Sequence, residues 1–280
     1  MARRVHGERS VGLLYGQRAL LIGALEPLAY TGTILSTKAG EWPFKRLVRT
    51  AKAQEAIFLG TEEEADRILA RVHNQHLRIK GAMPEAAGAH AAGAEYSALD
   101  PELMLWTLAV IADSGRAMYE AMVRPLSAGE REALWQDYLL FGELFGMPRE
   151  VAPATYPEFE AWFAEKIASP DMHATPHALA FAPVVAFEQP VPRGARLNLA
   201  AQNLAIKGTL PPRVREIFDI PWGTREEVAF RALTTAHRQA HHLMPHKLRR
   251  GRNGRFFDVV ATGERLRGGT PTPELGAGVS

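Results

Sequence analysis

The sequence predicts an all-α protein built as a single helical domain, and three observations carry that expectation. Helix starts recur: Thr61 before Glu64, Ser127 before Glu130 and Thr224 before Glu227 each place a carboxylate three residues after a hydroxyl. In that arrangement the two side chains satisfy backbone donors that a helix N-terminus leaves orphaned. Apolar residues also fall at helical spacing, as in Ala65, Ile68, Leu69, Val72 and Ile79, which line one face at i, i+3, i+4, i+7. No convincing strand pattern competes with them.

The elements follow in order. The basic stretch Met1 to Arg9 and the apolar residues Val11 to Leu25 superficially resemble a secretory leader, but Gln17, Arg18 and Glu26 interrupt the apolar run. No run of about 18 uninterrupted apolar residues exists elsewhere, so a cytoplasmic location without stable membrane insertion is expected. Helices are expected over 11–29, 43–58 and 62–80, the last starting at Thr61 and stopping at Gly81. Residues Ala82 to Glu95, rich in Ala, Gly and Pro, read as a loop. Asp100 followed by Pro101 starts a helix over 101–123, with the proline where its missing N–H costs nothing. Leu103, Met104, Leu105, Trp106, Leu108, Val110 and Ile111 make that helix apolar almost all round and therefore central. Asp113 inside it must be paired or hydrogen-bonded, as a structural anchor or as the lining of a polar pocket. Further helices are expected over 128–145, ended by Gly146, and over 156–168, 194–206, 211–218 and 225–243. The helical domain spans 1–250, and 251–280 reads as a partly ordered tail.

Composition excludes several functions. The 33 Lys and Arg nearly balance the 31 Asp and Glu, for a net charge of +2, which gives no electrostatic reason to expect nucleic acid as a partner. With no cysteine, disulfides, thiolate metal sites, iron–sulfur clusters and cysteine nucleophiles are impossible. No G-x-S-x-G elbow and no G-x-G-x-x-G or Walker loop is present.

Candidate chemistry sits in two clusters. His76 is four residues after Val72 and three before Ile79, so it falls on the apolar stripe, whereas His73 is turned to its flank. A core-facing His76 is either a satisfied core histidine or a metal or haem ligand. As an i, i+3 pair the two could bind one metal together, but the carboxylates of a di-iron bundle are missing. The second cluster is WPFKRLVRT from Trp42, where Arg46 and Thr50 share a helix face and Lys45 and Arg49 form the adjacent pair. Such a face is either solvated or aimed at an anionic group such as haem propionates. His237, His241, His242 and His246 lack a HExxH-type glutamate and read as a basic surface region.

Taken together, GQRALLIGALEPLAYTGT from Gly16, PFKRLVRT from Pro43, LGTEEEADRILARVHNQHLRIKG from Leu59, YSALDPELMLWTLAVIADS from Tyr96 and YEAMVRPLSAGEREALWQDYLLFGELFGMP from Tyr119 resemble the mpaB-type and latex-clearing (rubber oxygenase) domain. The similarity thins after about Leu248. The resemblance implies an all-helical fold with a globin-like core around haem b, and an oxygenase acting on an apolar organic substrate with O2. It maps the proximal iron ligand to His76 of HLRIKG and the family's Arg-x-x-x-Thr motif to Arg46 and Thr50. Arg49 stands where latex-clearing proteins have a lysine, and a guanidinium, protonated at any ordinary pH, does not replace an amine on iron. Glu26 and Leu108 stand where many relatives carry histidines, which implies a different distal side. A ligand-binding protein without oxygenase turnover remains the alternative reading.

Overall fold

The computed structural model describes residues 1–37 and 43–266. Among them the chain forms α1 (Ala2–His6), α2 (Arg9–Gly23), α3 (Pro27–Leu35), α4 (Pro43–Leu59), α5 (Glu62–His76), β1 (Lys80–Ala82), β2 (Glu95–Ser97), α6 (Pro101–Met122) and α7 (Ala128–Leu144). It continues through α8 (Tyr156–Ala168), α9 (Pro176–Phe187), α10 (Arg196–Thr209), α11 (Pro212–Ile217), α12 (Thr224–Leu243), α13 (His246–Arg249) and α14 (Gly254–Leu266). The fold is all-α apart from the antiparallel β1–β2 pair, in which Gly81 faces Tyr96. None of the described helices is long and apolar enough to cross a membrane.

The apolar helix α6 is the centre of the core, as its sequence requires, and α2 packs along it. Trp106 and Ala109 are buried, and the Trp106 indole donates to the Gly23 carbonyl at 3.3 Å. Asp113 proves to be an anchor. Its carboxylate takes Arg18 of α2 at 2.7 Å and Arg116 at 2.5 Å. Arg18 also reaches the Ser114 hydroxyl and the Thr209 carbonyl, so one buried guanidinium ties α2, α6 and α10 together.

Caps explain most starts. Asp100 accepts from the N–H groups of Glu102 and Leu103, and Ser127 and Glu130 form a reciprocal capping box. Removing that box by Ser127→Ala is expected to lower unfolding free energy by about 1 kcal/mol; an unchanged denaturant midpoint would show that the cap is dispensable. Gly146 has φ +94° at the end of α7, a left-handed conformation that favours glycine.

Several expectations are corrected. The helix expected over 11–29 breaks at Ala24–Glu26, because Pro27 begins a new helix whose N-cap is the Glu26 carboxylate. The helix expected to Lys80 ends at His76, and the chain turns into β1. Gly81 is thus a strand residue: a Cβ there would lie 2.7 Å from the Tyr96 hydroxyl. The cap of α12 is Gly223, whose N–H is taken by Glu226, so Thr224 is already helical. His241 is buried against the Glu8 carboxylate at 2.9 Å, and His237 pairs with the Met122 carbonyl at 2.7 Å; both fasten α12 to the body of the protein, while His242 and His246 are exposed. Helices α9 and α14 were not expected. The latter lies within the segment read as a tail, whose residues 267–280, like Trp42, fall outside the described residues.

Candidate functional site

A cavity of about 1690 Å³ opens between α2, α3, α4, α5, α6, α7, α9 and α14. It exceeds the ~300–1,000 Å³ of ordinary small-molecule pockets. Much of its wall is apolar because α6 turns Met104, Leu108 and Ile111 toward it, α7 adds Phe141, Phe145 follows at the end of α7, and α9 adds Phe181 and Val185. Phe256, Phe257 and Val260 of α14 close one side, where Phe257 and Val260 pack on Phe44 and Val48 of α4.

The helical phase of α5 decides which histidine enters. His76 lines the cavity, half-buried, with its ring 6.1 Å from that of Phe145. His73, one turn back, lies toward Gly146 and does not line it. The Nδ1 of His76 is buried with no hydrogen-bond partner. Burial, reinforced by His73, lowers its pKa, so the ring is neutral at ordinary pH and keeps a lone pair free for a metal.

The predicted face of α4 meets the same cavity. Arg46, Arg49 and Thr50 all line it. Arg46 donates to the Thr33 carbonyl and the Thr37 hydroxyl, which fixes its guanidinium across the gap between α3 and α4. Arg71 of α5 and Arg78 just beyond it were not anticipated, yet they flank His76 and line the cavity too. Every charged side chain among the described lining residues, imidazoles aside, is an arginine: Arg46, Arg49, Arg71 and Arg78. Four guanidinium groups gathered at one rim favour an anion.

The positions that resembled replaced histidines are resolved differently. Leu108 is buried and forms part of the apolar wall. Glu26 is buried outside the lining, accepting from Leu28 and pairing with His90 at 3.0 Å.

A second imidazole was missed. His177, in the first turn of α9, lines the cavity and pairs through Nδ1 with the Tyr30 hydroxyl at 2.8 Å. Its setting between prolines gives no helical periodicity to read, although the Thr175–Pro176 start was a visible signal. Among the described residues no group of three or more His, Asp or Glu side chains is placed to hold a metal ion.

Residues 3–239 match the family model described as ER-bound oxygenase mpaB/B'/Rubber oxygenase, catalytic domain. An uncharacterized protein of Mycobacterium bovis and one of Mycobacterium tuberculosis are each 24% identical to the chain over 208 residues, covering 73% of it and 77% of their own length. No solved structure matches.

Proposed function

The chain belongs to the family of the mpaB/B' and rubber oxygenase catalytic domains, and from that premise we propose that it is a haem-b-dependent oxygenase acting on an apolar organic substrate with O2. The observation that carries the reading is the pairing, in one large cavity, of a neutral histidine with four arginines, Arg46, Arg49, Arg71 and Arg78.

The residues fit haem. A porphyrin brings its own four nitrogen donors, so one imidazole would suffice as the protein's ligand, and a multi-residue metal cluster is not needed. His76, with an unpartnered buried nitrogen, would take the iron. Arg71 and Arg78 on either side of it, with Arg49, would neutralise the propionates through charge-assisted hydrogen bonds. When bound, the haem supplies the oxygen-activating chemistry; the chain supplies ligand, charge and a dry pocket. Arg46, held by Thr33 and Thr37, presents a fixed donor group to the polar end of the pocket, and Thr50 adds a hydroxyl one turn away. Leu108, Phe141 and Phe181 give the pocket an apolar wall, which suits an apolar substrate.

The test is the absorption spectrum of the protein produced with adequate haem, followed by oxygen uptake with an apolar alkene. A Soret band with substrate-dependent uptake is the expected result. A band without uptake would favour a haem-binding protein lacking turnover, and a folded protein that takes up no haem would overturn the reading. A further expectation concerns the rim: Arg78→Gln should raise the haem dissociation constant about tenfold, the effect of losing one hydrogen bond to a charged group, ~1.5 kcal/mol. Haem transfer to apomyoglobin measures it, and an unchanged transfer rate would remove Arg78 from the propionate site.

A further inference from the structure

Among the polar groups that line the cavity, Tyr30 and His177 are brought together by α3 and α9. The His177 ring stacks on Phe181 at 4.3 Å, 9° from parallel, so its plane is fixed. Its Nδ1 is taken by the Tyr30 hydroxyl, while its Nε2 is buried and has no partner. A buried polar atom left without a partner is destabilising, and a ligand atom in the cavity would relieve it.

Protonation decides what that atom offers. Burial lowers the pKa of His177, and burial, only partly opposed by Arg46, raises that of Tyr30. Both groups are therefore neutral at ordinary pH. A phenol has one proton to give, and among the described residues its one hydrogen-bond neighbour is the Nδ1 of His177. Donation from Tyr30 to Nδ1 places the imidazole proton on Nε2. The pair thus presents to the cavity an N–H donor, oriented by stacking on Phe181 and polarised by the phenol.

We propose that Tyr30 and His177 form the substrate-orienting point of this cavity, and that the substrate is an apolar molecule carrying a carbonyl or hydroxyl oxygen that accepts from His177 Nε2. This deepens the oxygenase reading and rests on it for the word substrate. The binding claim concerns the chain's own residues and is tested apart from turnover.

The measurement uses the full chain and a shape-matched pair of volatile probes, cyclooctanone and cyclooctane, with binding followed by headspace gas chromatography over protein solution. Tyr30→Phe and His177→Phe are each expected to raise the cyclooctanone dissociation constant about 3–10-fold, the range for losing one neutral hydrogen bond, and to leave that of cyclooctane unchanged. In the wild-type protein, nitrogen NMR of the ring is expected to report the proton on Nε2. Equal effects on both probes, no effect on either, no binding of the ketone by the wild-type protein, or a proton on Nδ1 would each overturn the proposal. A Soret spectrum of the same haem-supplied sample separates the two readings: its absence sinks the oxygenase, whereas the probe ratio still judges the Tyr30–His177 pair.

Discussion

His76→Ala is expected to fold like the parent and to lose its haem band. Leu69 is the buried residue of α5, and the helix turns most of its remaining surface to solvent. Alanine also favours the helix more than histidine, so far-ultraviolet dichroism and the unfolding midpoint should stay close to the parent's. The Soret band and oxygen uptake should disappear together, because among the described lining residues only His177 offers another imidazole, and its Nδ1 is engaged by Tyr30. Added imidazole should restore part of the band by occupying the space vacated by the side chain. An undiminished, unshifted band in the variant would show that His76 does not hold the iron.

The largest stability effect is expected at Asp113. Its carboxylate and the Arg18 guanidinium are both buried, with side-chain exposures of 7% and 2%. Removing one partner strands the other charge, a loss of about 3–5 kcal/mol, so Asp113→Ala should move the denaturant midpoint sharply with little change in slope. A loss below about 1 kcal/mol, of the size found for exposed pairs, would mean that the network does not anchor the fold. The same group predicts an acid limb. Burial alone would raise the Asp113 pKa, but Arg18 and Arg116 outweigh it and hold the carboxyl below its ordinary value. Its contribution is therefore fully present above the unfolded pKa of ~3.9 and is lost as pH falls through the lower folded value. Parent and Asp113→Ala stabilities should converge as the pH drops below ~4, and parallel curves through that range would count against the assignment.

How much of this was legible depends on what each segment shows of itself. Helix α6 announced itself, since an uninterrupted apolar run behind Asp100–Pro101 admits few alternatives, and the burial of Asp113 followed from its neighbours. The phase of α5 correctly separated His76 from His73, because helical geometry fixes direction even where the end of the helix is misjudged. The break at Ala24–Glu26 was hidden because apolar residues continue on both sides, and the turn into β1 because Ile79 prolongs the stripe of a helix that has already stopped. In α9 nearly every residue is apolar and Pro183 sits inside the helix, so no polar face marks a period. His241 was misread for a different reason: its partner Glu8 lies 233 residues away, and no local pattern encodes a contact of that range. The cavity rim has the same origin. Arg46 and Arg71 belong to different helices, and their convergence is a property of packing alone.

Helix α14 places part of the cavity wall beyond residue 239, where the family match ends. The stretch that carries His76 and the panel formed by Phe256, Phe257 and Val260 thus lie on opposite sides of that limit. Replacing α14, the last of the described helices, would remodel the space open to ligands while leaving His76 and its arginines in place. Fragments trimmed to the matched region, conversely, would retain those residues with one side of their chamber removed.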